Sequence, residues 1–160
     1  MTTSLHIREY NGDINPILPL LLVGDESEQM VRGYIGSCTI YVGTCNNDIV
    51  AVCAVMETEP GTVEVKNLAV TQSMRRQGIG RAMLNHVESV LSPHTISLGT
   101  GETPSTLRFY KSCGYEVSHI IPGFFTDNYP APIIEEGVRL RDMICLVKHP
   151  QHGGSLTFSL

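Results

Sequence analysis

The sequence predicts a mixed α/β (α+β) fold: a twisted sheet of about seven strands with about four flanking helices. Three observations predict it. Residues 38–70 form a series of β-branched and apolar runs divided by turn residues. Ile79, Met83, Val87 and Leu91 then recur every four residues, an amphipathic-helix stripe. From Thr95 to Val147, strand-like and helix-like segments alternate, which builds a sheet covered by helices. The chain has 160 residues, 42% hydrophobic and 17% charged, enough for one domain with its own core. That domain is placed at residues 1–148, with 149–160 as a C-terminal tail outside it, ordered by a neighbouring subunit or similar contact.

Leu5 to Tyr10 alternates and reads as a first strand, broken by Asn11-Gly12-Asp13. Ile14 to Val23 is apolar; a helix can start near Pro16, and Pro19 is expected to make it irregular. Asp25-Glu26-Ser27-Glu28 suits the start of a second helix reaching towards Tyr34. Cys38–Thr44 and Ile49–Met56 read as strands joined by the Asn46-Asn47-Asp48 turn. The second is almost wholly apolar, as in a strand covered on both faces. Glu59-Pro60-Gly61 turns the chain into a fourth strand, Thr62–Val70, which completes an antiparallel meander. The long helix runs from about Gly78 to Leu91, and Pro93 ends it. Thr95–Gly99 is a strand, expected to lie parallel to the fourth by the right-handed crossover rule. Thr103 caps another helix with Pro104 in its first turn, and Gly114 stops it after Cys113. Tyr115–Ile121 and Arg141–Val147 are the last strands, separated by an irregular, proline-containing segment.

Charge and cysteine usage exclude several classes. A net charge of −5 argues against non-specific nucleic-acid binding and is compatible with an amine substrate. No apolar run is long enough to span a bilayer, and the N-terminus lacks a signal-peptide pattern, so no membrane partner and a cytoplasmic location are expected. Five cysteines without paired spacing form neither a disulfide framework nor a metal site. Cys38, Cys45, Cys53 and Cys145 read as buried free thiols. Cys113 lies nearer the chemical candidates.

Those candidates centre on Arg75-Arg76-Gln77-Gly78-Ile79-Gly80-Arg81, between the strand ending Leu68-Ala69-Val70 and the long helix. The N–H groups of a helix's first turn lack intrahelical partners, and the dipole leaves that end partly positive. Gly78 and Gly80 remove Cβ atoms that would hold a ligand off those groups. Three arginines add positive charge. No Gly-Lys-Ser or Gly-Lys-Thr follows, so this is not a P-loop, and Met83 stands where a dinucleotide fingerprint needs its third glycine. The bland alternative is a tight turn with solvated arginines.

Arg75-x-x-Gly78-x-Gly80 after a strand, followed by strand, helix and Phe109-Tyr110-Lys111-Ser112-Cys113-Gly114-Tyr115, resembles the GNAT N-acetyltransferase superfamily over Leu5 to Lys148, most closely from Val63 to Tyr115. Gly137 to Met143 is similar to a bacterial subgroup of YvbK type. The resemblance implies a GNAT fold whose fourth and fifth strands splay apart. Between them the pantetheine arm of acetyl-CoA pairs with backbone groups of Leu68, Ala69 and Val70. Its pyrophosphate sits on the N–H groups of Arg76 to Arg81: Arg76, Gln77, Gly78, Ile79, Gly80 and Arg81. Many members carry Asn where this chain has Thr103, a candidate coenzyme contact. Tyr110 is implied as the acid for the departing thiolate; alternatively it is a buried aromatic whose hydroxyl merely finds a partner. The N–H of Val70 would polarise the thioester carbonyl. Glu64 is the implied base acting through water; the alternative is a polar residue on the solvent face beside Lys66. His119 is a second base candidate, read as a surface residue, and Glu102 reads as a solvated loop residue.

The function expected is acetyl-CoA-dependent N-acetyl transfer to an unidentified small primary amine, by direct attack in a ternary complex. The alternatives are acetylation of protein lysines or N-termini, and a non-catalytic acyl-CoA-binding regulatory module. GNAT proteins are often dimers, so a homodimer is an expectation as well.

Overall fold

The computed structural model of the chain describes residues 4–150. They divide into two compact units: one takes residues up to 58 with 64–90, the other 59–63 with residues from 91 onward. The expected tail interaction falls outside the described residues.

The first unit carries β1 (His6–Glu9), α1 (Leu18–Gly24), α2 (Glu28–Tyr34), β2 (Thr39–Cys45), β3 (Asp48–Glu59), β4 (Thr62–Val70) and α3 (Ile79–Val90). Its strands neighbour one another in chain order, β1-β2-β3-β4. β1 and β3 run antiparallel to β2, with Arg8 opposite Val42 and Tyr41 opposite Cys53. Asn46 and Asn47 both have positive φ, 52° and 70°, the handedness a two-residue hairpin turn requires. α1 is not the irregular helix that Pro19 suggested. Pro19 falls within its first turn, where its missing N–H has no intrahelical partner to lose. In α2, Ser27 Oγ accepts from Met30 N at 3.1 Å and caps the helix.

These elements meet in one apolar cluster: Ile17, Leu21, Val31, Val42, Val52 and Ala69. α3 buries Ile79, Met83, Leu84 and Val87, so Leu84 joins the stripe read from the sequence. The His86 ring meets Tyr41 of β2 edge-on at 5.5 Å. One polar residue enters the interior. Asn67 of β4 is 3% exposed, and its Nδ2 donates to Leu21 O at 2.8 Å and to Tyr34 Oη at 3.1 Å. It ties the middle of α1 and the end of α2 to the strand. A Cβ at Gly24 would stand 2.1 Å from Asn67 Oδ1. Gly24→Ala should therefore destabilise the fold by about 1–3 kcal/mol, the usual range for overpacking. A chemical-denaturation midpoint lowered at constant slope checks this.

The second unit carries β5 (Thr95–Thr100), α4 (Pro104–Ser112), β6 (Glu116–Ile121), α5 (Phe124–Asn128), β7 (Ile134–Glu135), β8 (Val138–Arg139) and β9 (Met143–Lys148). β9 lies between β5 and β6 and is antiparallel to both, with Leu146 opposite Leu98 and Val117. β6 is an edge strand, exposed along its length. The stretch read as irregular holds α5 and the β7–β8 hairpin, so the described residues contain five α-helices.

Three glutamates fasten this stretch to the β5–α4 connection. Glu102 Oε1 accepts from Arg141 N at 3.0 Å and Asp142 N at 3.1 Å. Glu135 Oε1 accepts from Thr103 Oγ1 at 3.1 Å, and Glu136 Oε2 from Ser105 Oγ at 2.5 Å. Two of these carboxylates lie at the N-terminus of α4, where the helix dipole favours negative charge. Glu102 is thus a structural clip, correcting its reading as a solvated residue: a carboxylate accepting two backbone N–H groups is held in place.

Candidate active site

In the first unit, β4 alternates strictly between half-buried and buried residues along its length. Glu64, Lys66, Leu68 and Val70 share the half-buried face; Val65, Asn67 and Ala69 face inward. Ala69 belongs to the core cluster, so only its backbone can meet a ligand. Beyond β4, Thr71 N donates to Val50 O at 2.8 Å, and a short 3-10 turn at Gln72–Met74 leads into the arginine loop. Arg75 folds back and donates from Nε to Val70 O at 3.2 Å. Arg76 has φ 64°, a left-handed conformation costing a residue with a Cβ roughly 1–2 kcal/mol. Gly78 follows with φ 80°, and an added Cβ there would meet nothing within 4 Å.

The first ladder bond of α3 runs from Ala82 N to Gly78 O at 3.0 Å. The N–H groups of Ile79, Gly80 and Arg81 therefore precede the ladder. Arg75, Arg76, Gln77, Gly78 and Arg81 are exposed, and Ile79 is buried and anchors the turn. The tip of α3 is open, positively charged and able to bind an anion.

Above the half-buried face of β4 lies a small polar group. Lys66 Nζ is 3.4 Å from Glu64 Oε2 and 5.3 Å from the centre of the Tyr34 ring. Tyr34 Oη donates to Asp25 Oδ2 at 3.2 Å, and Asp25 Oδ1 accepts from Ser27 N at 3.2 Å. Burial raises the Tyr34 pKa; the Asn67 hydrogen bond opposes this, and the Asp25 carboxylate adds to it. Cys38 Sγ donates to Tyr34 O at 3.3 Å. Burial pushes its thiol up to about 11, with Lys66 opposing and Glu64 reinforcing. Cys38 and Cys145 are half-buried rather than buried; all five cysteines are free thiols.

The Cys38 shift has a sign that can be tested. The folded state holds the thiol proton to higher pH than the unfolded chain, whose reference value is 9.0. Stability from this group is whole below pH 9 and falls as pH rises from 9 to about 11. Unfolding free energy should decline over that window, and Cys38→Ala should flatten the decline.

In the second unit, Tyr110 and Thr103 belong to α4. Thr103 is 2% exposed and stands at the N-cap position; its hydroxyl makes no cap bond and donates to Glu135. The Tyr110 ring is packed edge-on against Phe109 at 5.1 Å and Tyr115 at 6.0 Å. Tyr110 O accepts from Cys113 N at 3.0 Å and Tyr115 N at 3.1 Å, which closes the helix before Gly114. Cys113 is buried at that turn. His119 is exposed on the edge strand, its Nδ1 2.8 Å from Ser118 Oγ, as expected of a surface residue. Among the described residues, no group of three or more His, Cys, Asp or Glu is placed to hold a metal.

Asn67, Tyr34 and the clip carboxylates escaped the sequence reading. Strand parity signals Asn67: in an alternating strand it falls on the apolar face. Nothing local signals the clips, which join residues some thirty or forty apart in the chain.

The sequence profile for acetyltransferase (GNAT) domains matches residues 36–117. An uncharacterised N-acetyltransferase of Bacillus subtilis (strain 168), YvbK, is 33% identical over 131 residues, 79% of this chain and 84% of that protein. The crystal structure of a GNAT family acetyltransferase from Elizabethkingia anophelis, with acetyl-CoA bound, has a TM-score of 0.85 at 30% identity. It spans 91% of this chain and 97% of its own. A Bacillus subtilis acetyltransferase in complex with CoA has a TM-score of 0.83 at 27% identity, covering 92% of this chain and all of that one (100%).

Proposed function

Because this chain belongs to the GNAT acetyltransferase family, we propose that it is an acetyl-CoA-dependent N-acetyltransferase acting on a primary amine of a small molecule by direct attack in a ternary complex. The observation that carries this reading is the open tip of α3, with Gly78 left-handed and unobstructed among exposed arginines. It suits the diphosphate of coenzyme A. The coenzyme found in two structural relatives supports the same cosubstrate here.

In this scheme the N–H groups from Arg76 to Arg81 take the pyrophosphate. Backbone groups of Leu68, Ala69 and Val70 pair with the pantetheine arm, and Val70 N–H polarises the thioester carbonyl. Arg75 braces the junction through the Val70 carbonyl. Thr103 stays in the proposed contact set; its hydroxyl proton goes to Glu135, so the hydroxyl can only accept from a ligand. Glu64 removes the amine proton through water, and Tyr110 protonates the thiolate that leaves. An acidic protein with a carboxylate on this face favours a cationic acceptor.

The proposed domain is residues 1–148. A cytoplasmic location is proposed; no helix among the described residues is long and apolar enough to cross a membrane. The exposed Val117, Ile120 and Ile121 on edge strand β6 support a homodimer.

Thiol release from acetyl-CoA across a panel of small amines and peptides tests the reading. Turnover with small primary amines is expected. Turnover with peptides alone would assign a protein acceptor, and coenzyme binding without turnover on any amine would assign a binding module.

A further inference from the structure

The helix that carries Tyr110 is held by its ends. No residue of α4 itself is buried, whereas Thr103 before it and Cys113 and Tyr115 after it are. Burial along the shaft therefore does little to fix how the helix is turned about its axis. At the C-terminal end, Tyr110 O accepts from Cys113 N and Tyr115 N, and Lys148 Nζ donates to Cys113 O at 2.8 Å. At the N-terminal end the tethers are side chains of the β7–β8 hairpin. Glu135 Oε1 takes the Thr103 hydroxyl at 3.1 Å and Glu136 Oε2 takes the Ser105 hydroxyl at 2.5 Å. Successive helix residues are about 100° apart, so Thr103 and Ser105 leave the first turn on different sides. Two such tethers resist a rotation that one alone would allow. Tyr110 follows Thr103 by about two turns and so stands on the same side of the helix.

Glu136 keeps its contact against the preference of its backbone. It has φ 51° and precedes Gly137 at φ 77° in the two-residue turn between Glu135 and Val138. That position favours asparagine or glycine, and a side chain with a long stem is strained there. A strained residue whose carboxylate reaches out to another element points to a role for the contact.

We propose that Glu135 and Glu136 are positioning residues for acetyl transfer: through Thr103 and Ser105 they set the rotation of α4 and with it the place of the Tyr110 hydroxyl. The inference rests on the acid role proposed for Tyr110. Side chains end about 5–6 Å from a helix axis, so a turn of about 10° carries them roughly 1 Å. A misplacement of that size can cost about 100-fold in rate.

The test compares the full chain with its Glu135→Ala/Glu136→Gly and Glu135→Gln/Glu136→Gln variants, each with Tyr110 and with Tyr110→Phe. Thiol release from acetyl-CoA is followed with the fastest small amine of the panel above, and thermal melts run beside it. Glutamine keeps an oxygen that accepts from both hydroxyls and, like the other pair, removes two charges, so it controls for charge. The inference expects the Ala/Gly pair to lower kcat at least tenfold with KM for acetyl-CoA changed less than threefold. The Gln pair should stay within threefold of the parent. In the Tyr110→Phe background the Ala/Gly pair should change kcat less than twofold, because the group it positions is gone. The same fractional loss in both backgrounds, a loss in KM alone, or a Gln pair as slow as the Ala/Gly pair would overturn the inference and leave the proposed function standing. If the Ala/Gly pair fails to fold, Glu136→Gly alone decides, since glycine relieves the left-handed strain. A kcat at least threefold lower at an undiminished melting temperature supports the inference, and an unchanged kcat overturns it. Tyr110→Phe with unchanged kcat would remove both the acid role and the inference.

Discussion

Replacing Tyr110 by phenylalanine is expected to lower kcat by about 10²–10⁴-fold, the usual contribution of a positioned general acid, with acetyl-CoA affinity nearly unchanged. The substitution is conservative where packing matters. The ring sits edge-on between Phe109 and Tyr115, and phenylalanine keeps both contacts. The backbone carbonyl that closes α4 is untouched. Only the hydroxyl goes, so a fall in kcat without loss of thermal stability reports proton transfer rather than folding. The defect should shrink with an acyl donor whose thiol is more acidic, since its thiolate needs less help to leave. An unchanged kcat would remove Tyr110 from the mechanism.

Gly78→Val should weaken coenzyme A binding by about 10- to 100-fold, the equivalent of roughly one charge-assisted hydrogen bond. Two effects act together. At φ 80°, valine is strained by roughly 1–2 kcal/mol. Its side chain also enters the open space before α3, where no protein atom lies within 4 Å of a Cβ. Gly61 separates the two effects. It has φ 84° with the same open surroundings, in the turn between β3 and β4. Gly61→Val should lose similar stability and retain full coenzyme affinity. Equal affinity losses in both variants would mean that strain, not the phosphate cradle, controls binding.

Periodicity made most of the fold legible. The strict alternation of β4 and the four-residue stripe of α3 each report one buried face, and those are the signals a sequence carries locally. The loop at Gly78 was legible for the same reason: its φ is a local demand that glycine answers. The misreadings have different causes, some of them partners distant in sequence. Pro19 suggested irregularity, but where a helix starts depends on packing as well as on proline. Glu102 looked solvated because nothing nearby shows that residues 141 and 142 will present their N–H groups to it. The hairpin of β7 and β8 has two residues in each strand, too few for any period to register. Thr103 was read correctly in position and incompletely in role, since a helix start does not reveal that Glu135 will claim the hydroxyl.

The account turns on the α3 tip holding a diphosphate, and calorimetric titration tests that most directly. Acetyl-CoA and acetyl-pantetheine, which lacks the diphosphate and the nucleotide, are each titrated into the full-length protein. The account predicts a single acetyl-CoA site and at least 100-fold weaker binding of acetyl-pantetheine, with the Gly78→Val variant narrowing that gap. Equal affinity for the two ligands, or no heat with either, would contradict it.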